Sequence, residues 1–275
     1  MFHHSSHAAP RHRHLVLVVA LGGVVTLLLF LGSREGWWYV PAGAVAFHLA
    51  AVGAVAFVVS GMVRRTAVGT LIRWPRVYDG VVGVMTLGRE GRMRARTLEL
   101  AGLRPGDAVL DVGCGTGTLL VGAAARVGAA GSLHGVEPSP EMLAHARRKA
   151  KARGVEVTLL EGAADSLPFA DASFDVVFCT LVLHHIPPEM RREALREMRR
   201  VARPGGRLVV MELARPASVS GVLAPAALLH GVRGRGPSRA LVEVREGLVE
   251  AGCDGVEEQT AGSGVAVTIG HVPAP

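Results

Sequence analysis

The residues best suited to chemistry gather in one short run, Asp111-Val112-Gly113-Cys114-Gly115-Thr116-Gly117, between an apolar strand-like stretch and a helical one. Glycines at alternate positions let the backbone approach a ligand without Cβ collisions, and the first turn of the following helix offers N–H groups with no intrahelical partner. A dinucleotide-binding fingerprint requires a further glycine three positions after the second, and Thr118 stands there instead. Glu137 closes the next apolar stretch, twenty positions after Gly117. A carboxylate at that point suits a vicinal diol, because it can accept hydrogen bonds at two oxygens. His184 and His185 follow a fourth apolar stretch. An imidazole titrating near neutrality suits removal of a proton from a substrate, and a purely local hydrogen-bonding role is the alternative.

The Asp-Val-Gly-Cys-Gly-Thr-Gly run resembles the nucleoside-binding loop of class I S-adenosylmethionine-dependent methyltransferases. The resemblance implies S-adenosyl-L-methionine as cofactor. Gly113, Cys114, Gly115 and Gly117 would cradle its methionine portion, Asp111 would orient the amino group, and Glu137, followed by Pro138, would hold the ribose. The stretch 161–175 resembles the adenine pocket, with one departure: many relatives carry an aspartate where this chain has Ala163. Adenine recognition would then fall to backbone groups around Ala163, Ala164 and Asp165, with Thr180 and Leu181 at the end of the next strand. The stretch 191–207 resembles the helix and turn that lead into the fifth strand. Tyr78-Asp79 and Leu87-Gly88-Arg89-Glu90 resemble the lead-in of ubiquinone- and menaquinone-type C-methyltransferases, which implies a cofactor contact for Tyr78 and a small apolar acceptor. A membrane-attached binding module without activity is a rival reading, as is a protein or nucleic-acid methyltransferase. The latter rests only on basic charge, and no Asn-Pro-Pro-Tyr motif accompanies it.

These residues need a scaffold, and the apolar pattern supplies one. Strand-like segments at 108–113, 132–137, 155–161, 174–181 and 207–213 alternate with helical segments near 117–128, 140–153 and 189–203. Such alternation predicts an α/β fold with a mainly parallel sheet between helices. A helix near 239–251 and two further strands would complete a Rossmann-like seven-stranded sheet with a C-terminal antiparallel hairpin. In such sheets ligands bind beyond the carboxyl ends of the strands, where the glycine run, Glu137 and both histidines fall.

Mean hydropathy is +0.35, and the apolar excess lies ahead of this domain. Residues 1–14 are polar and read as a disordered tail whose five histidines have no fixed scaffold for a metal. The run 15–31 has no charge, and a second apolar run covers 37–63, each about the ~20 residues that cross a bilayer. They predict a transmembrane helical hairpin over 15–63, with Trp37, Trp38 and Tyr39 at an interface. Arg11 and Arg13 precede it and Arg64, Arg65, Arg73 and Arg76 follow it, so both outer ends should face the cytoplasm of a cell-membrane protein. Residues 64–104 read as linker and N-terminal helices, and 105–275 as the catalytic domain. The net charge of +7 is carried almost wholly by arginine, since Lys149 and Lys151 are the only lysines. Beside a membrane segment it fits an anionic leaflet better than nucleic acid. Cys114, Cys179 and Cys253 match no zinc or disulfide spacing and read as reduced thiols, so no metal is expected. The segment 214–230 is apolar for a connection and reads as a lid over an apolar acceptor or an interfacial helix.

Overall fold

The computed structural model describes residues 63–66, 69–72, 74–86, 88–214, 239–262 and 264–275. The expected tail, all but the last residue of the expected membrane hairpin and nearly all of 214–230 lie outside them. The chain divides into two units, 1–63 and 64–275, and the elements that follow belong to the second. Among the described residues no helix is long and apolar enough to cross a membrane.

Seven strands form one sheet: β1 (Ala108–Val112), β2 (Ser132–Glu137), β3 (Thr158–Glu161), β4 (Phe174–Thr180), β5 (Ala202–Leu213), β6 (Asp254–Gly262) and β7 (Val265–His271). Their order is β3-β2-β1-β4-β5-β7-β6. The first five run parallel, β7 lies antiparallel to β5, and β6 closes the hairpin against β7. This is the Rossmann-like sheet that the sequence predicts.

The central strands are apolar on both faces because helices cover both. Val109, Val176, Phe178, Val209 and Met211 share one face with Met93 and Leu98 of helix α2 (Glu90–Leu100) and Leu119, Leu120 and Ala123 of α3 (Thr118–Val127). Leu110, Val112, Val177, Cys179, Leu208 and Val210 fill the other with Ala194, Leu195 and Met198 of α5 (Pro188–Val201) and Val244 and Leu248 of α6 (Arg239–Glu250). The period of two along each strand sorts them. Helix α4 (Pro140–Ala152) starts where Ser139 Oγ accepts the Met142 N–H at 3.3 Å and Pro140 takes the first turn.

The stretch 64–104 contains two helices, α1 (Pro75–Met85) and α2, separated at Gly88, whose φ of +69° continues neither. Some boundaries differ from the sequence expectation. Strand β3 begins at Thr158 rather than 155, because Val155 still donates to the Ala150 carbonyl of the preceding helix at 3.0 Å. Strand β5 begins at Ala202, bulges over 203–206 through Pro204 and Gly205, and resumes its register at Arg207.

Candidate functional site

The carboxyl ends of β1, β2 and β4 open on one cleft, lined by Tyr78, Gly113, Gly115, Glu137, Pro138, Met142, Ala163, Ala164, Thr180, Leu181 and His185 among others. Its glycines are there for steric reasons. Gly113 has a φ of +72°, and a Cβ on it would lie 2.5 Å from Val182 Cγ2. Gly117, at φ +72°, caps α3 in the left-handed region. Leu181 adopts a φ of +58° without being glycine, and its N–H donates to the Met211 carbonyl at 2.7 Å. Such a conformation costs about 1–3 kcal/mol and persists where surrounding structure enforces it.

Glu137 is 8% exposed, and its carboxylate accepts the Gly115 N–H at 3.1 Å and the Ser139 N–H at 3.0 Å. Burial pushes its pKa up to about 6 against the pull of those two N–H groups. Each oxygen keeps a lone-pair direction for a further donor. Asp111 is more deeply set, at 1% exposure, and burial pushes its pKa to about 8 while the Arg94 guanidinium pulls the other way. Its Oδ1 has no hydrogen-bond partner. Arg94 Nη1 likewise has none, although it lies 3.2 Å from Glu90 Oε1 as an ion pair. A buried acceptor and a buried cationic donor, both unsatisfied beside one glycine loop, match the ammonium and carboxylate of an amino acid. The residues present therefore fit the methionine portion of S-adenosylmethionine. Tyr78 sits over the cleft, and burial pushes its phenol to about 12, so it stays a neutral donor.

Helix α1, which carries Tyr78, is tied to the loop through Asp79. Its carboxylate accepts from Thr116 Oγ1 at 2.8 Å and from Lys149 Nζ at 2.7 Å, and Lys149 also donates to Thr118 Oγ1 at 2.6 Å. These bonds hold Asp79 in its charged form against its own burial.

Of the residues expected at the cofactor, Tyr78, Gly113, Gly115, Glu137, Pro138, Ala163, Ala164, Thr180 and Leu181 line the cleft, whereas Asp111, near the end of β1, and Cys114 and Gly117 of the glycine loop are not among the lining residues. Asp165 is partly buried beside Ala164 and is not among the lining residues. The two histidine rings pack against each other, centroids 4.0 Å apart, yet border different spaces. His185 lines the cofactor cleft, whereas His184 faces a second cavity of ≈ 780 Å³ between the turn Leu183–His185, α5 and α6. Sequence reasoning missed Arg94, which nothing local distinguishes from Arg92 and Arg96. It also missed Arg191, whose Nε donates to the Leu183 and Ile186 carbonyls at 2.9 and 3.1 Å and fixes that turn. Arg200 donates to the Leu167 and Phe169 carbonyls and pairs with Glu197 and Asp171, fastening the middle of the 161–175 stretch. All three cysteines are free and buried.

Residues 109–206 match the methyltransferase domain family. The matched stretch, this fold and this loop are similar to those of class I S-adenosylmethionine-dependent methyltransferases, including ones of the menaquinone type. The demethylmenaquinone methyltransferase of Bacillus cytotoxicus is 36% identical over 143 residues, which are 52% of this chain and 60% of that protein. The chain thus spans about 60% of the length of that curated relative. Among solved structures, a SAM-dependent methyltransferase from Aquifex aeolicus aligns with a TM-score of 0.53 at 24% identity, over 65% of this chain and 89% of that one. The [4+2]-cyclase SpnF aligns with a TM-score of 0.53, also at 24% identity, over 67% and 82%. The second likeness shows that this fold hosts other chemistry, so function has to be argued from the site.

Proposed function

We propose that this chain is a membrane-anchored S-adenosylmethionine-dependent methyltransferase, its catalytic domain cytoplasmic, acting on a small apolar acceptor of the quinol type. The observation that carries the methyltransferase reading is the unsatisfied pair Asp111 Oδ1 and Arg94 Nη1 beside the loop. When bound, S-adenosylmethionine supplies a methyl carbon made electrophilic by a sulfonium and leaves as a neutral thioether. The protein's work is alignment and exclusion of water. Asp111 takes the ammonium, Arg94 the carboxylate and Glu137 the ribose hydroxyls. Ala163 offers no side-chain acceptor to the adenine, so backbone groups of 163 and 164 supply what recognition there is, and Tyr78 shields the cleft from solvent.

The acceptor reading draws on the relatives' printed substrate, on the apolar 214–230 segment and on the uncharged run 15–31 with the apolar run that follows it. A bilayer anchor raises the effective concentration of a membrane-dissolved acceptor at the site. In vesicles containing a short-chain demethylmenaquinol, full-length protein should transfer labelled methyl to the quinol. A truncated protein beginning at Ala67 should keep cofactor binding and lose most of that turnover, while acting equally on a detergent-dissolved analogue. Equal activity of both proteins on the vesicle substrate would contradict the anchor's role.

A further inference from the structure

The second cavity holds a built pair that the cofactor site does not use. Glu212, near the end of β5, is 1% exposed. Its Oε1 accepts the Leu183 N–H at 2.8 Å, and its Oε2 lies 2.8 Å from His184 Nδ1. Both side chains line the ≈ 780 Å³ cavity, whose wall combines the aliphatic Leu183, Leu195, Val242 and Val244 with the charged Glu189, Arg191, Arg192, Glu243 and Glu246. A single turn serves both spaces, since Leu181, Val182 and His185 line the cofactor cleft while Leu183 and His184 line the cavity beside it. Arg191 fixes the same turn through two of its carbonyls and is itself paired with Glu243 at 2.7 Å.

A carboxylate can only accept, so the hydrogen on the 2.8 Å contact belongs to His184 Nδ1. That tautomer puts the ring's basic lone pair on Nε2. A large cavity walled partly by aliphatic side chains, with an oriented imidazole on its wall beside the cofactor cleft, fits a proton acceptor for a substrate that must lose a proton as it is methylated.

We propose that Glu212 is the positioning residue that sets the tautomer of His184, and that His184 takes a proton from an acceptor bearing an acidic O–H, or a C–H made acidic by a neighbouring enol or carbonyl. This rests on the methyltransferase reading above. In the step, His184 Nε2 takes the proton and becomes imidazolium. The pair freed from an O–H either bonds the methyl carbon itself or becomes a C=O bond while the adjacent ring π pair bonds the methyl carbon; in the latter case the proton on the methylated ring carbon then leaves to water and restores the hydroxyl ring. The pair freed from an acidic C–H bonds the methyl carbon directly. In each case the methyl–sulfur pair stays on sulfur. The imidazolium then returns its proton to water. An amine or thioether acceptor has its own lone pair and would need none of this, so the pair points to a hydroxylated or enolisable ring.

The test uses Glu212→Gln in the full-length protein. Glutamine still accepts the Leu183 N–H with its oxygen but presents an NH2 to Nδ1, which forces the hydrogen onto Nε2, the wrong-tautomer effect known for the serine-protease aspartate. Nitrogen-15 NMR of the neutral ring should show Nδ1–H in the wild type and Nε2–H in the variant. With S-adenosylmethionine and short-chain demethylmenaquinol, kcat should fall by ~10²–10⁴-fold, the span of general acid–base catalysis. The affinity for S-adenosylhomocysteine should stay within about two-fold, because neither residue lines the cofactor cleft. His184→Gln should lose as much, and the double variant no more. An Nε2–H ring in the wild type, or a kcat within a few-fold in either single variant, would overturn the proposal. If Glu212→Gln does not fold, His184→Gln and the wild-type spectrum decide it. Failure of the wild type to bind S-adenosylhomocysteine would instead count against the methyltransferase reading.

Discussion

At the scale of residues, the site is a set of charges that burial holds out of balance until a zwitterion arrives. The carboxyls of Asp111 and Glu137 are raised to about 8 and about 6 by burial. A carboxyl raised on folding lends stability that is fully present below its unfolded pKa and is lost as pH rises through the folded value. Both groups therefore make the empty protein progressively less stable between about pH 4 and 8. A bound ammonium favours ionised Asp111 and reverses that loss. The increase in melting temperature caused by saturating S-adenosylmethionine should accordingly grow from pH 5.5 to 7.5, and Asp111→Asn should flatten the trend. A ligand effect that shrinks over this range in the wild type would be inconsistent with Asp111 as the ammonium's partner. The glycine run and Glu137 were legible in the sequence because their spacing is local. Glu212 was not, since it meets His184 from 28 positions away on a neighbouring strand, and nothing nearby in sequence marks it as buried.

At the scale of elements, the sequence pattern yielded strands and helices wherever one apolar face or run defines them. It yielded less where tertiary contacts decide. From the sequence, 64–104 reads as linker and N-terminal helices, and nothing local marks that α1 is bound to the loop by Asp79, 37 positions from Thr116 and 70 from Lys149. The cofactor cleft beneath it is narrow, ≈ 90 Å³, against ~300–1,000 Å³ for sites that bury a drug-sized ligand. Opening of the cleft by a movement of α1 would break the bonds from Asp79 to Lys149 and Thr116. Asp79→Ala should speed both association and dissociation of S-adenosylhomocysteine, with dissociation rising about ten-fold, the effect of roughly 1.4 kcal/mol lost from a charged hydrogen-bond cluster. Stopped-flow fluorescence would read both rates, and unchanged rates would mean that α1 does not gate the cleft.

At the scale of the whole molecule, one turn of chain joins two spaces with different solvents in mind. The cleft on the β1–β2 side sets one buried carboxylate, Glu137, among small and apolar residues, and the cavity toward α6 mixes aliphatic and charged walls with a carboxylate-held imidazole. That the sheet is mainly parallel with a C-terminal antiparallel hairpin was legible because alternating strands and helices form βαβ units, whereas the order of the strands came from the structure. That His184 and His185 line different spaces while their rings stay 4.0 Å apart was not legible, because only the fold fixes where this tight turn sits between the two. Everything proposed for the acceptor side depends on the cofactor side being what its geometry suggests. The most direct measurement is a calorimetric titration of the full-length protein with S-adenosylhomocysteine, alongside Glu137→Ala. One-to-one binding is expected, weakened in the variant by ~10–100-fold, the ~1.5–3 kcal/mol of hydrogen bonds to a charged group. No binding to folded wild-type protein, or equal affinity in the variant, would contradict the account.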